Sequence, residues 1–157
     1  MFTISCNSSK KDIAIAEGKT LESLQKENIE GLKLLQTHCY ICHNPNAVSH
    51  DSLIAPPMAA VKMRYKMSYD NQEGFVNAIS KWVLDPTEEK AIMLGAVANF
   101  KVMSKLLYKE KDVKKIATFI YENELEQPEW FEAHQKEMHG NGKGMGVGIG
   151  RANRMNQ

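Results

Sequence analysis

The sequence predicts an all-α fold, one small helical domain without a sheet. Apolar side chains recur at helical spacing in residues 75–83 and again in residues 113–120. No stretch shows the strict alternation of a convincing strand, and the sequence contains no internal repeat. A length of 157 residues suits one domain, which can bury a core without disulfide bonds.

The composition excludes several classes of protein. Hydrophobic residues make up 43% and charged residues 25% of the chain, which is ordinary for a globular protein and excludes global disorder. Lys and Arg number 20 against 19 Asp and Glu, so the formal charge is +1 and no nucleic-acid partner is expected. No apolar run approaches the roughly 18 residues that a membrane span needs.

The first predicted helix covers residues 20–38. Thr20 is a suitable N-cap, and leucines recur near one face of this segment, with Gly31 close to that face. An Asn-Pro-Asn turn signal follows, so residues 44–57 are expected to form a loop before a short helix at 58–67.

The second half of the domain contains two clear helical patterns. The helix that includes residues 75–83 stops at the Asp-Pro pair 85–86. Thr87 can start a further short helix, and residues 98–108 are expected to form an apolar loop. A last helix is predicted over about 112–123.

These patterns divide the chain into three parts. Residues 1–19 are expected to be a flexible leader or tether, and residues 20–125 the helical domain. Residues 126–157 form a C-terminal extension that ends in a flexible glycine-rich tail.

Residues 39–43, CYICH, form the motif that attaches c-type haem. The thiols of Cys39 and Cys42 add to two vinyl groups of the porphyrin, and two intervening residues span the separation between them. His43 is then placed under the iron as its first axial ligand. The sequence thus predicts one haem c, attached through both cysteines.

Three other interpretations of the cysteines have less support in the sequence. A thioredoxin-like motif needs a βαβ context, which this chain does not offer. A zinc site could use Cys39 and Cys42 with His38 or His50, but no second ligand pair completes it. The cysteines could also be ordinary core residues.

With this motif the chain resembles the mono-haem class I cytochromes c over residues 20–125. The resemblance also rests on the glycine-led helix before the motif, on the loop IAPPM at 54–58 and on the helix end WVLDP at 82–86. A methionine, Met103, precedes the acidic start of the last helix, as in that family.

The resemblance implies a small all-α domain wrapped around one covalently bound haem, with the first and last helices crossing. Gly31 and Leu35 would then face Ile116 and Ile120. A glycine at such a crossing allows the two backbones to approach closely.

The resemblance also implies a second axial ligand, for which Met103 is the first candidate. A thioether favours ferrous iron and raises the reduction potential. Ser104 departs from the family, which commonly has proline there, so ligand exchange is expected to be easier. Met93 is the alternative, although its surroundings look like the core face of a helix. The remaining candidates are weaker: Met58, Met63 and Met67 follow the motif too soon, and His134 and His139 would serve only in a bis-histidine variant.

The predicted cofactor-binding residues are Cys39, Cys42, His43, Pro56, Trp82 and Met103. The resemblance suggests that the Pro56 carbonyl accepts a hydrogen bond from the ring of His43. Trp82 is expected to be a wall of the pocket, and Tyr40 and Ile41 to cover the haem edge.

The resemblance places the protein on the periplasmic or outer-surface side of a bacterial membrane. The opening MFTISC is too short for a whole signal peptide, so an export signal would have been removed or truncated. Cys6 follows a segment similar to the end of a lipoprotein signal, with Thr3 where leucine is usual. We therefore expect a lipid anchor at Cys6.

The expected function is electron transfer to and from redox partner proteins, and the chain is not expected to be an enzyme. No nucleophile elbow, phosphate loop or acid–base pair is present in the sequence.

Two alternative functions stay open. One alternative is a haem-based sensor in which a small molecule displaces Met103. Another is a subunit of a membrane oxidoreductase complex, docked through residues 126–139 with Trp130 and Phe131. Four lysines could surround an exposed haem edge and steer an acidic partner, Lys62, Lys66, Lys101 and Lys105.

Overall fold

The computed structural model describes residues 20–140. The expected leader with its lipid anchor at Cys6 lies outside the described residues, as does the expected glycine-rich tail apart from its first residue, Gly140. The helices are α1 (Leu21–His38), α2 (Met58–Ser68), α3 (Gln72–Leu84), α4 (Leu94–Phe100), α5 (Glu110–Glu122) and α6 (Phe131–Gly140). Single turns of 3-10 helix lie at His50–Ser52 and Glu88–Lys90. No strand occurs between residues 20 and 140, so the all-α prediction is confirmed.

Side-chain caps and an Asp-Pro stop set several helix ends. The Thr20 hydroxyl accepts a hydrogen bond from the Ser23 amide at 3.2 Å and so begins α1 at the predicted position. Asn71 does the same for α3 by accepting from the Gly74 amide at 2.8 Å. Asp85 follows α3 directly, and Pro86 prevents the helix from continuing.

The core is built around α5, which packs against α1, α2 and α3. Its centre consists of side chains that are almost fully buried, Leu35, Phe75, Val113 and Ile120. Leu35, Ile116 and Ile120 belong to one apolar cluster, as expected for crossing helices. Such burial stabilises a domain by about 1.5–3 kcal/mol for each large apolar side chain.

The crossing of α1 and α5 depends on Gly31. A Cβ atom at this position would lie 2.7 Å from the Phe119 Cβ and 3.1 Å from the Lys115 carbonyl oxygen. The close contact is therefore with Phe119 and Lys115, one residue earlier on α5 than the predicted Ile116 and Ile120. The backbones still approach closely at the glycine, because only the absence of a side chain permits it.

Polar contacts reinforce the same pair of helices. The side-chain amides of Asn28 and Asn123 exchange hydrogen bonds of 3.2 and 2.7 Å. The Lys115 ammonium donates to the Glu30 carboxylate at 2.6 Å. These contacts fix the rotation of α1 on α5, which carries the end of α1 to the edge of the cavity described below.

Two elements differ from the sequence-based prediction. Helix α4 extends to Phe100, so it occupies the start of the predicted loop at 98–108. Helix α6 lies in the C-terminal extension, for which the sequence predicts no helix. Its mixed pattern buries Phe131, which is 7% exposed, but offers no long apolar face.

The C-terminal extension folds back on the loop that follows the CYICH motif. The Trp130 indole N–H donates a hydrogen bond of 2.7 Å to the carbonyl of Ala47, which is itself buried. Pro128 is also fully buried beside this contact segment. Trp130 and Phe131 therefore pack within the domain. In the part of the chain that the structure describes, no helix is long and apolar enough to cross a bilayer.

Candidate cofactor site

A large apolar cavity lies between the CYICH motif and the inner faces of α2, α3 and α5. Its far wall comes from α4 and from residues 101–108, which have no regular structure. The centre of a water molecule can reach about 260 Å³ of it. Since one water needs only about 10–15 Å³ on that measure, the cavity has the size of a ligand site.

The end of α1 places the motif at the cavity. Cys39 caps α1, and its carbonyl accepts hydrogen bonds from the amides of Cys42 at 3.1 Å and His43 at 2.8 Å. This turn places Cys39, Cys42 and His43 together in the cavity lining. Both cysteines are free thiols, Cys39 partly buried and Cys42 exposed. Two thiols and an imidazole on one turn match the chemistry of haem attachment.

Burial controls the protonation of the first thiol. Desolvation, with a smaller contribution from the nearby Cys42, raises the pKa of Cys39 to about 12. The Cys39 thiol therefore stays protonated at neutral pH.

The ring of His43 is held by Pro56. Its Nδ1 atom lies 2.6 Å from the Pro56 carbonyl oxygen, so Nδ1–H donates and Nε2 remains free to ligate. Burial lowers the pKa of His43, although the bond to Pro56 acts in the opposite direction. The imidazole is therefore neutral near pH 7, which is the form that binds a metal. The predicted hydrogen bond is present in the structure.

The remaining walls are apolar and aromatic. Trp82 and Val83 contribute from α3, Tyr65 from α2, and Ile116 and Ile120 from α5. Burial raises the pKa of the Tyr65 phenol far above its ordinary value, so this wall stays uncharged. A lining of this kind fits a flat apolar macrocycle, because it would replace water around the ring.

Three methionines line the cavity, Met58, Met93 and Met103. Met58 is buried in the central apolar cluster, and Met93 packs against that cluster at the start of α4. Met103 is partly buried but is not among the side chains packed on the cluster. The Met103 thioether therefore makes fewer core contacts than those of Met58 and Met93, which leaves it available to a ligand in the cavity. Met63 and Met67 line a separate groove on α2.

A turn with unusual backbone geometry delivers Met103 to the cavity. Lys101 follows α4 with φ 68° and ψ 179°, a conformation that favours glycine. Its amide still donates to the Val97 carbonyl at 2.8 Å and closes the helix. The chain then changes direction sharply, and residues 102 and 103 enter the lining.

Tyr108 belongs to the site although the sequence did not predict it. Its hydroxyl donates to the His38 carbonyl at 3.3 Å, and its ring lies edge-on to the His38 ring at 5.5 Å. Burial, with smaller contributions from Cys39 and Cys42, raises the pKa of Tyr108. A lone tyrosine in a predicted loop carries no periodic signal that could have identified it.

The other predicted site residues fall in different places. Ile41 lines the cavity but is 78% exposed, whereas Tyr40 is partly buried against the core. Lys101 lines the cavity, but Lys62 and Lys66 belong to the groove on α2. Lys62 and Lys66 thus lie outside the cavity lining, as scattered surface lysines would.

The chain matches no family model, no curated protein and no solved structure, so the resemblance to a family rests on the sequence motifs alone. Between residues 20 and 140, no three His, Cys, Asp or Glu side chains converge as a metal site. A closed structural zinc site at Cys39 and Cys42 would need such a group. An iron that arrives in a porphyrin takes only its axial ligands from the protein, and the cavity offers His43 and Met103 for that role.

Proposed function

We propose that this protein is an electron carrier that holds one haem c, attached through Cys39 and Cys42. The carrying observation is that both thiols and His43, oriented by Pro56, share a single apolar cavity with the thioether of Met103. When bound, the haem supplies an iron that takes up and releases one electron. His43 and Met103 are the proposed axial ligands.

The chain's own residues explain how this cavity suits electron transfer. Pro56 holds the His43 ring in one orientation, and the apolar walls from α2, α3 and α5 exclude water. Exclusion of water disfavours the extra charge of ferric iron, and a thioether ligand acts in the same direction. Both effects raise the reduction potential.

The covalent attachment gives the direct test. The denatured protein should keep its haem and give a c-type pyridine haemochrome spectrum. The double variant Cys39→Ser, Cys42→Ser should lose covalent haem, and Cys6→Ser, which changes the remaining cysteine, should keep it. Haem that extracts into acidified organic solvent from the wild type would overturn the proposal.

A second candidate function is a haem-based sensor, and the exposure of the segment around Met103 favours it. Ser104, Leu106 and Leu107 are exposed, and the segment has no helix. Such a segment can release Met103 at little cost. Carbon monoxide binding to the reduced protein separates the candidates, because an electron carrier with both axial positions filled should bind it poorly.

A role as a docked subunit of a membrane complex receives less support. It relied on Trp130 and Phe131 as contacts for a partner. Trp130 is hydrogen-bonded to Ala47, and Phe131 is buried within the domain. We therefore prefer a carrier that meets its redox partners transiently.

The proposed location follows from the attachment chemistry. Haem c is attached outside the bacterial cytoplasm in the family that this chain resembles, so we propose a periplasmic or outer-surface protein. A lipid anchor at Cys6 would keep it at a membrane. Incorporation of labelled palmitate into the precursor, and its loss in Cys6→Ser, tests the anchor.

A further inference from the structure

Two histidines from distant parts of the chain meet outside the cavity. His50 lies in the 3-10 turn after the CYICH motif, and His134 lies on α6. Their ring centroids are 5.1 Å apart, and the ring planes differ by 32°. Trp130 contacts both rings edge-on, at 5.9 Å in each case. Neither histidine belongs to the cavity lining, so this cluster is separate from the cofactor site.

The spacing of the two rings fits a shared metal ion. With metal–nitrogen bonds of about 2.0–2.1 Å and tetrahedral angles, two imidazoles on one zinc ion have centroids about 5 Å apart. The observed separation of 5.1 Å agrees with that value. Divalent ions such as zinc, copper and nickel are the class that imidazole nitrogen binds well.

A carboxylate lies next to the His50 ring. The Asp51 Oδ1 atom is 3.8 Å from the His50 Nδ1 atom, which is too long for a hydrogen bond, and the Asp51 side chain is fully exposed. A carboxylate behind a ligating imidazole is a common supporting arrangement in metal sites, and Asp51 is the neighbour that can take this role.

We propose that His50 and His134 together bind a divalent transition-metal ion, which fastens α6 onto the loop after the CYICH motif. Two ligands come from the protein, and water completes the coordination, since His50 is about half exposed. The metal adds to the contact that Trp130 already makes with Ala47. Zinc is the most informative probe, because it has no redox chemistry of its own.

Calorimetric titration of the purified full chain with zinc chloride tests the site. The wild type should bind one zinc ion that His50→Ala and His134→Ala each weaken by about tenfold or more, and Asp51→Asn by a smaller factor. His50 is exposed and His134 is partly exposed, and circular dichroism checks that the variants fold. His139→Gln, which changes the other histidine of the α6 range, should bind zinc as the wild type does.

Hydrogen exchange supplies a second measurement. Zinc should slow amide exchange within α6 in the wild type and in His139→Gln, but not in His50→Ala. Zinc binding that is unchanged in both His50→Ala and His134→Ala would overturn the proposal, as would loss of binding in His139→Gln alone. The result does not depend on haem, so it stands apart from the proposed function.

Discussion

The carboxylate of Asp85 accepts a hydrogen bond of 2.9 Å from the ammonium of Lys105, two residues beyond Met103. Asp85 ends α3, and its other carboxylate oxygen pairs with Lys90. One aspartate thus joins the segment that carries Met103 to the helix that carries Trp82. The residues around Lys105 are exposed, and this pair connects them to the end of α3.

Removal of this tie should loosen the Met103 segment. In Asp85→Asn and in Lys105→Gln, amide exchange across residues 101–109 should become faster than in the wild type. Lys90→Gln is the matched control, because it removes the ion pair between Lys90 and Asp85 and leaves the pair between Lys105 and Asp85 intact. Equal exchange rates in Lys105→Gln and Lys90→Gln would show that the pair does not restrain the segment.

The lowered pKa of Asp85 predicts that the free energy of unfolding depends on pH in the acid range. Hydrogen bonds from Lys105 and Lys90 lower the pKa of Asp85 from 3.8 to about 2. A group with a lowered folded-state pKa stabilises the fold above its unfolded pKa and loses that effect as the pH falls. Wild-type stability should therefore fall more steeply than that of Asp85→Asn between pH 3.8 and about 2. Urea unfolding at several pH values measures the difference, which is modest because the carboxylate is exposed.

Replacement of Gly31 should weaken the crossing of α1 and α5. The added Cβ would lie 2.7 Å from the Phe119 Cβ, so the two helices must move apart. We expect Gly31→Ala to lower the free energy of unfolding by roughly 1–3 kcal/mol in urea titrations. Gly95→Ala is the control: nothing lies within 4 Å of a Cβ there, and alanine should stabilise α4 by at most about 1 kcal/mol.

The parts of the fold that the sequence predicts are those with a local cause. Thr20 begins α1 through its own hydroxyl, and the Asp85-Pro86 pair ends α3, so both boundaries follow from nearby residues. The turn of the CYICH motif, which brings both thiols and His43 to one cavity, is local in the same way. The register at Gly31 differs by one residue from the predicted one, since periodicity does not determine how two helices rotate against each other.

The rest depends on contacts between distant residues. Helix α6 owes its position to Trp130 reaching the Ala47 carbonyl, 83 residues away along the chain, and no local pattern records this. The φ of 68° at Lys101 could not be predicted from the sequence either, because lysine rarely adopts a positive φ. The cavity-lining position of Tyr108 arises from its contact with His38.

The bond between Trp130 and Ala47 should contribute to the docking of α6. In Trp130→Phe, the carbonyl of the buried residue Ala47 loses its donor, which costs about 1 kcal/mol. Amide exchange within α6 should accelerate, with little change in α1 or α5. Glu129→Gln alters the exposed neighbour and should leave the exchange of α6 unchanged. Identical exchange in both variants would show that the indole bond is dispensable.

Replacement of Met103 distinguishes the two candidate axial ligands. If the Met103 thioether binds iron, Met103→Ala should lose the weak near-red charge-transfer band of the oxidised protein and should bind carbon monoxide when reduced. Its reduction potential should fall, because water or histidine in that position stabilises ferric iron relative to a thioether. Met93 packs against the core, so Met93→Ala should keep the band and lose about 2 kcal/mol of stability. A band that is lost in Met93→Ala and kept in Met103→Ala would reverse the assignment. A band absent from the wild type would favour the sensor, because an iron without the thioether leaves a position that a small molecule can take.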